Sequence, residues 1–288
     1  MSYNIDQFSK ITGINKLLLR TWENRYNFLK AARTESKIRT YSDDLLIQAL
    51  NAKLLIDNGY KISSISRKSD IEIEDLLSQL IKKDSKNSAN KYYINNFIKS
   101  ALKFDADKFN KTYNEASKKH SAIDFYKKIM LPTFSKIGLF WLTNKMNPAQ
   151  EHFLSEMFKQ KIYKQIDAES SYKNNSSKTW LLFLPQKEHH EMGLLFTRYL
   201  LLNKGYNVIY LGANVPLLAL NEIAKNTKVD NTLFFVVSNF AKLNILETSK
   251  AVHKYFSNCK NYVVSNEKLE SIVKIKSIQS VDEFLELI

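Results

Sequence analysis

The amino-acid sequence predicts a multidomain protein that combines all-α parts with a terminal α/β part. Its 288 residues amount to about two to three domains of ordinary size. Polar stretches without helical periodicity, at 82–90 and 167–178, interrupt the chain. They divide the chain into residues 1–82, 90–167 and 178–288. The first part has amphipathic helices on both sides of a glycine, and the second has helical patterns. In the third part, apolar runs alternate with helical patterns. The chain is therefore expected to fold as three parts in this order.

The first part begins with two short helices joined by a tight turn. The buried stripe of the first helix consists of Ile5, Phe8 and Ile11. Gly13 permits the turn, because glycine adopts left-handed backbone angles without strain. The second helix has an inner stripe of Leu18, Trp22 and Tyr26, which leaves on its outer side Lys16, Arg20 and Arg25. Such a second helix enters the major groove in helix-turn-helix proteins, so these three cations are candidates for phosphate or base contacts.

A short polar segment and a third helix follow. Residues 33–39 are polar and basic, as expected for a wing that follows a phosphate backbone. Ser42 is placed to accept an unpaired N–H at the start of the third helix, and the acidic residues after it suit the helix dipole. This helix is predicted to run through Leu55 and to end at Gly59.

Residues Tyr3 to about Ser66 resemble the winged helix-turn-helix domain of MerR-type regulators. The resemblance is carried by two motifs, the first with Arg20, Trp22, Glu23, Arg25 and Tyr26, the second with Arg39, Tyr41 and Ser42. It implies binding to double-stranded promoter DNA. The candidate DNA-binding residues are Lys16, Arg20, Arg25, Tyr26, Arg33, Lys37, Arg39 and Tyr41. A solvated helix face is the alternative interpretation of basic residues at this spacing.

The middle and last parts differ in their periodicity. Helical patterns lie at about 94–102, 105–118, 121–141 and 147–167, and they predict a small four-helix bundle. Apolar runs lie at 179–184, 207–211, 232–237, 261–265 and 273–276. Because helical patterns separate these runs, they predict a five-stranded, parallel, doubly wound sheet of the flavodoxin-like type.

The loop after the first of these strands carries a candidate metal ligand. Glu188, His190 and Gly193 follow the strand in the spacing Glu-x-His-x-x-Gly. Open α/β sheets bind ligands at the carboxyl ends of their strands, where a neutral imidazole can bind a metal and a carboxylate can fix its tautomer. Gly193 leaves room for a bulky ring system near the backbone. The spacing by itself also fits a solvated helix that begins near His189.

The stretch from Leu184 to Pro216 resembles the cobalamin-binding domain of methionine synthase and of CarH-type regulators. In that family the histidine displaces cobalamin's dimethylbenzimidazole base and coordinates cobalt from below, so the resemblance makes His190 the metal ligand. Ser238 matches a later serine of the family signature. Ser265 and Asn266 replace a Gly-Gly pair that lets the nucleotide tail lie against the backbone. Cobalamin, with adenosylcobalamin as the first choice, is therefore the expected cofactor, bound more weakly than in members with the glycine pair.

The bundle resembles the helical cap of the same regulators. Trp141 is followed after nine residues by Glu151 and His152, which is the spacing of that cap. In the family these side chains pack over the upper face of cobalamin and its adenosyl group. Core packing is the alternative for a tryptophan in a bundle. Light-sensing members carry a histidine where Leu142 stands here, so light sensing by that route is not inferred.

The composition agrees with a polyanionic partner. The formal charge is +14 and the isoelectric point is near 9.5, although part of the lysine excess is spread over the middle and end of the chain. An apolar run of about 18 residues that could span a membrane is missing, and so is a secretory signal. The single cysteine, Cys259, excludes an intramolecular disulfide and a cysteine metal cluster. We therefore expect a cytoplasmic protein without membrane association.

Together these features predict a non-enzymatic, DNA-binding transcriptional regulator and, by family precedent, a repressor. A corrinoid held between cap and sheet would control assembly into a homo-oligomer, a dimer or a tetramer, and thereby binding to promoter DNA. One alternative is a regulator of the same architecture that has lost cobalamin and acts as an apo-protein or through a protein partner. It is favoured by Ser265 and Asn266 and by Phe240, which replaces the usual leucine or threonine two positions after the serine of the family signature. A corrinoid methyltransferase subunit is a further alternative, but the DNA-binding part argues against it.

Overall fold

The structure is a computed structural model that describes residues 2–82, 86–142, 147–169, 178–238, 245–265 and 275–288. The chain packs as two compact units, Met1–Met157 and Phe158–Ile288. The three-part division made at the two polar stretches stays a prediction. Among the described residues, none of the helices is long and apolar enough to span a membrane.

The first unit begins with a winged helix-turn-helix, as predicted. Its elements are β1 (Ser2–Tyr3), α1 (Ile5–Thr12), α2 (Lys16–Tyr26), β2 (Ala32–Arg33), β3 (Arg39–Ser42), α3 (Asp43–Asp57), α4 (Ile62–Ile65) and α5 (Asp70–Lys82). Strand β3 pairs antiparallel with both other strands, in the order β1-β3-β2. The β2–β3 hairpin is the predicted wing.

Side-chain caps and a glycine turn set the helix ends in this domain. Gly13 follows α1 with a φ of 69°, in the left-handed region that glycine tolerates. Asn15 accepts a hydrogen bond from the Leu17 N–H and starts α2. Ser42 caps α3 as predicted, by accepting from the Leu45 N–H. These caps satisfy N–H groups that the first turn of a helix leaves unpaired.

The predicted buried face of α2 is partly wrong. Leu18 is 48% exposed, whereas Leu19 is 1% exposed and packs into the core beside Trp22. Residues spaced four apart drift around a helix by about 40° at each step, so a stripe of Leu18, Trp22 and Tyr26 leaves the core face. A stripe that starts at Leu19 is spaced by three and then by four residues, and it stays on that face.

The helical bundle follows the winged domain. Its elements are α6 (Lys86–Lys103), α7 (Ala106–Ser117), α8 (Ala122–Phe125), a π-helical segment (Tyr126–Met130), α9 (Leu131–Leu142) and α10 (Pro148–Glu169). The helix predicted at 121–141 is thus interrupted, because Pro132 lacks the N–H that would continue a regular α-helical pattern. Aromatic rings fill the core, and the Phe97 ring centroid lies 5.0 Å from that of Phe109 and 6.1 Å from that of Phe125.

The stretch expected to separate winged domain and bundle is largely helical. Helix α6 already begins at Lys86, and Ser88 is buried. The Ser88 hydroxyl donates to Asn58 Oδ1 at 2.7 Å, just after α3. The Tyr3 ring also packs edge-on against Phe140 of α9, with centroids 6.3 Å apart. These tertiary contacts join the two parts within one unit and override the polar local composition.

The second unit contains the predicted five-stranded parallel sheet. Its strands are β4 (Thr179–Pro185), β5 (Asn207–Val215), β6 (Asn231–Val236), β7 (Lys260–Ser265) and β8 (Lys276–Ile278). They pair in the order β5-β4-β6-β7-β8. The described helices of this part are α11 (Met192–Asn203), α12 (Leu217–Asn226), α13 (Ile245–Tyr255) and α14 (Val281–Leu287). This strand order is that of flavodoxin-like sheets, and it places the topological switch point between β4 and β6.

Two elements of this unit begin about three residues later than predicted. Helix α11 begins at Met192 rather than near His189, because the residues before it form a turn in which the Glu191 N–H donates to the His189 carbonyl. The last strand is Lys276–Ile278 rather than 273–276, and residues 266–274 lie outside the described part of the chain. The first shift leaves His190 in the loop instead of in the helix.

Candidate functional site

The switch point of the sheet is organised by one buried carboxylate. Glu188 follows β4 and is fully buried. Its Oε1 accepts hydrogen bonds from the backbone N–H groups of His189 and His190, both at 3.0 Å. Its Oε2 accepts from the backbone N–H groups of Val237 and Ser238, both at 2.8 Å, which follow β6. The carboxylate therefore joins the two loops that border the switch point.

These hydrogen bonds determine the charge of Glu188. Burial by itself raises the pKa of this carboxyl, because the charged form loses hydration. Hydrogen bonds from the His190 side chain and from the backbone N–H groups outweigh burial and lower the pKa to about 2. Glu188 is therefore ionised at neutral pH and can only accept hydrogen bonds.

The ionised carboxylate sets the tautomer of His190. The Nδ1 atom of His190 lies 2.6 Å from Glu188 Oε1. Since the carboxylate cannot donate, Nδ1 carries the proton, and the neutral imidazole then has its lone pair on Nε2, as a metal ligand requires. The His190 side chain is 58% exposed, whereas that of Glu188 is 0% exposed. An accessible imidazole of defined tautomer therefore lies at the carboxyl edge of the sheet.

The loop that carries His190 is also held by β5. Asn214 Oδ1 accepts from the Lys187 N–H at 3.0 Å, and the Asn214 N–H donates to the Glu188 carbonyl at 3.2 Å. Lys187 and Asn214 have φ values of 67° and 58°, which non-glycine residues seldom adopt. The reciprocal hydrogen bonds compensate for this strain and fix the loop relative to β4 and β5.

Glu191, the residue after His190, connects the loop to two further elements. Its Oε1 accepts from the Tyr210 hydroxyl in β5 at 2.7 Å, and its Oε2 lies 3.3 Å from Lys159 Nζ in α10. Burial, together with the adjacent carboxylate, raises the pKa of the Tyr210 hydroxyl, so that this group stays protonated. Gly212 has a φ of 74°, and a Cβ there would lie 3.2 Å from Glu191 Oε1. Gly212 thus leaves the space that the Glu191 carboxylate occupies.

The structure brings several of the predicted cofactor-binding residues together at this edge. Contacts through one carboxylate join Glu188, His190 and Ser238. Ser265 ends β7, where it pairs in register with Val236, and it is buried. Gly193 lies in the first turn of α11. Asn266 lies outside the described residues.

The predicted cap residues belong to the first unit. Trp141 is the second-last residue of α9, and its side chain lies outside the described part of the structure. Glu151, which is half-buried, and His152, which is exposed, lie near the start of α10. Contact between these residues and His190 stays a prediction.

The predicted DNA-binding residues of α2 lie at the protein surface. Lys16, Arg20 and Arg25 are exposed, and Tyr26 is half-buried. Lys16 forms an ion pair with Asp6 of α1. The Arg25 guanidinium carbon lies 5.8 Å from the centroid of the Tyr26 ring. Surface ion pairs of this kind are weak, so all three cations remain accessible to a polyanion.

The wing contributes further cations. Arg33 and Lys37 are exposed, and Lys37 adopts a φ of 60° in the hairpin turn. Arg39 is half-buried, and its Nε donates to Glu23 Oε2 of α2 at 2.6 Å. Arg39 therefore ties the wing to α2 in addition to its predicted role toward DNA.

Tyr41 corrects the predicted DNA-binding set. Its side chain is 1% exposed, and its ring stacks on Phe8 with centroids 4.2 Å apart. Tyr41 lies on the central strand of the small sheet and faces α1, so it belongs to the domain core. The prediction that it contacts DNA directly is wrong.

Some groups at the switch point carry no local sequence signal. The N–H groups of Val237 and Ser238 belong to the backbone, which the side-chain pattern does not describe. Asn214 and Tyr210 lie on a separate strand. Glu191 could have been suspected from its place directly after His190.

Comparison with protein families identifies two domains. Residues 3–70 match the model described as MerR HTH family regulatory protein, and residues 93–164 match the model described as B12 binding domain. The second match spans most of the helical bundle and includes the positions of Trp141, Glu151 and His152. The chain therefore combines a MerR-type helix-turn-helix domain with a B12-binding domain.

Two transcriptional repressors are similar to this chain over most of their length and of its own. The HTH-type transcriptional repressor CarH of Myxococcus xanthus is 24% identical over 218 residues, which are 75% of this chain and 72% of the relative. The repressor CarA of the same organism is 25% identical over 234 residues, 80% of this chain and 75% of the relative. The chain is homologous to these repressors.

A solved structure supports the fold assignment. The monomethylamine corrinoid protein of Methanosarcina barkeri superimposes with a TM-score of 0.57 at 11% sequence identity. The match covers 69% of this chain and 97% of that protein. At this identity the likeness concerns the fold, and it agrees with the predicted helical and parallel-sheet architecture.

Proposed function

We propose that this chain is a transcription regulator that binds double-stranded promoter DNA through its winged helix-turn-helix and a corrinoid at the switch point of its sheet. The observation that carries the proposal is the pair of His190 and Glu188. A fully buried carboxylate holds an accessible imidazole in the metal-binding tautomer, at the edge where such sheets bind ligands. The homology to CarH and CarA supports the same conclusion.

His190 would hold the cobalt of the corrinoid through Nε2. Glu188 would act on cobalt only through His190, by fixing the tautomer and orientation of the imidazole. A bound corrinoid would supply a cobalt centre that can exchange a ligand, and adenosylcobalamin is the form we propose. Trp141, Glu151 and His152 are proposed to contribute to corrinoid binding, because the segment that matches the B12 binding domain includes them.

The nucleotide tail is the weaker part of the fit. Ser265 is 5% exposed at the end of β7, next to the strand whose loop contacts Glu188. Its side chain occupies space that a glycine would leave open to the tail. This observation favours, as a second candidate, a regulator of the same architecture that works without cobalamin.

Control of transcription would operate through assembly of the protein. A corrinoid changes the equilibrium between two assemblies only through its different affinity for them. We propose that the corrinoid-bound chain forms a dimer or a tetramer, that several winged domains then bind one promoter together, and that this binding represses transcription. Light scattering with and without adenosylcobalamin measures this change, and an identical mass in both states would contradict it.

The corrinoid site can be tested on the full-length protein by equilibrium dialysis against adenosylcobalamin. His190→Ala should weaken binding by about tenfold or more, in the range that loss of metal-site groups produces. His189→Ala is the matched control, because His189 is the exposed neighbour on the same loop and should bind as the unchanged protein does. Equal affinity of both variants would contradict the assignment of His190.

Electron paramagnetic resonance shows whether the cobalt ligand is a nitrogen of the protein. With the Co(II) form of the corrinoid, a lower nitrogen ligand splits the cobalt lines into three when it is ¹⁴N and into two when it is ¹⁵N. Uniform ¹⁵N labelling of the protein should therefore change the splitting if His190 is the ligand. An unchanged splitting would mean that the corrinoid keeps its own base.

DNA binding is tested separately by gel shift on the chain's own upstream region. Binding should weaken steeply as salt is raised, because phosphate contacts release counterions. Complete absence of a shift, with and without corrinoid, would contradict the proposed function.

A further inference from the structure

The outer face of α2 carries an exposed leucine among its cations. The core face of this helix is defined by Leu19 and Trp22, which are 1% and 5% exposed. At about 100° per residue, Leu17 lies almost diametrically opposite that face. Leu17 is accordingly 71% exposed. Its side chain therefore projects away from the domain core.

Leu17 belongs to a ridge with three further residues of α2. At spacings of three, four and seven residues from it lie Arg20, Thr21 and Asn24, of which the first and last are exposed. The Thr21 hydroxyl donates to the Leu17 carbonyl at 2.8 Å, so the polar atom of Thr21 is turned back onto the helix. Its methyl group is left as the outward part of the side chain. The ridge thus alternates apolar and hydrogen-bonding groups.

The cations around Leu17 disfavour a purely apolar partner surface, because such a surface would strip water from them without offering a counter-charge. Lys16 and Arg20 flank it, and Arg25 lies on the same helix, all of them exposed. A cationic rim around an exposed apolar group is suited to a polyanion that also offers an apolar feature. The major groove of DNA has one such feature, the 5-methyl group of thymine.

We infer that Leu17, with the Thr21 methyl group beside it, recognises thymine 5-methyl groups and so determines part of the operator sequence. Arg20 and Asn24 on the same ridge have the groups that bond guanine and adenine edges, respectively. The inference rests on the proposed DNA binding and deepens it, because it separates base-reading residues from cations that contact phosphates. It also gives a functional reason for the exposure of Leu17, an apolar side chain that does not contribute to the domain core.

The test removes the methyl group from the DNA. Duplexes that bind the full-length protein are enriched from a random pool, and the best one is resynthesised with deoxyuridine in place of thymidine at one position at a time. The unchanged protein should lose about fourfold in affinity at one or two positions, as expected for loss of one buried methyl contact. Leu17→Ala should bind the thymidine and deoxyuridine duplexes equally at those positions.

Leu18→Ala is the matched control on the same helix. Leu18 lies about 100° around the helix from Leu17, off the ridge, so this variant should keep the full sensitivity to deoxyuridine. Thermal melting verifies that both variants are folded.

Three results would overturn the inference. One is a protein that binds its selected duplex but is indifferent to deoxyuridine at every position. Another is a loss of sensitivity in Leu18→Ala but not in Leu17→Ala. If no duplex is enriched at all, the proposed DNA binding itself fails, and the inference fails with it.

Discussion

Glu188→Gln is the substitution whose effect the structure defines most closely. The amide has nearly the same shape as the carboxylate, but it replaces one acceptor oxygen by an NH₂ group that donates. In the folded protein each carboxylate oxygen accepts from two backbone N–H groups. In either orientation of the amide, its NH₂ group therefore faces two backbone N–H groups. Those two N–H groups then have no acceptor.

The pKa of Glu188 sets the expected magnitude. It is lowered from an ordinary value of 4.5 to about 2. A difference of about 2.5 pH units corresponds to about 3 kcal/mol of folding free energy. Because the folded-state pKa is the lower one, this contribution is fully present above pH 4.5 and is lost as the pH falls toward 2. By about pH 3 roughly 2 kcal/mol of it should be gone.

Urea unfolding of the second unit measures this contribution. Trp180 is buried in β4 and reports unfolding by its fluorescence when Trp22→Phe and Trp141→Phe remove the other tryptophans. In that background Glu188→Gln should lower the free energy of unfolding by about 3 kcal/mol at pH 7 and by clearly less at pH 3.

The control is Glu222→Gln, which makes the same change in charge on α12 of the same unit. The Glu222 side chain is 65% exposed, so its replacement should leave the unfolding curve unchanged. If Glu188→Gln unfolded at the same urea concentration as the parent protein at both pH values, the carboxylate would not organise the switch point, and the account of His190 would fail with it.

Further predictions concern the winged domain and the tail site. Tyr41→Phe removes a hydroxyl that is buried and has no hydrogen-bond partner among the described residues. Thermal melting should therefore show equal or higher stability, and the gel shift should stay unchanged. A weaker gel shift would mean that Tyr41 does contact DNA. Arg25→Ala should weaken the gel shift and flatten its dependence on salt, whereas Lys254→Ala, an exposed cation of the second unit, should do neither. Equal shifts in these two variants would contradict the placement of α2 in the groove. Ser265→Gly combined with Asn266→Gly should raise corrinoid affinity about tenfold to a hundredfold in dialysis, since one misfit against a buried group costs about 1–3 kcal/mol. Absence of binding by both this variant and the parent protein would favour the regulator that works without cobalamin.

Local sequence patterns were sufficient to predict most helices and strands of the fold. The helical stripe of Phe8 and Ile11, the turn at Gly13 and the cap at Ser42 depend on residues a few positions apart. The same holds for the apolar runs that became β4 to β7. The contact of His190 with Glu188 also spans only two positions, so its spacing could be recognised directly.

Tertiary structure decided the features that involve distant parts of the chain. The N–H groups of Val237 and Ser238 reach Glu188 across 49 and 50 positions, and only the placement of β6 beside β4 brings them there. The burial of Tyr41 depends in the same way on its stacking against Phe8. Periodicity describes which face of an element is apolar, whereas the neighbour that covers this face is chosen by packing over the whole unit. For that reason the sequence determined the elements and the candidate ligand His190, and the fold alone determined which groups make Glu188 an ionised, buried partner for it.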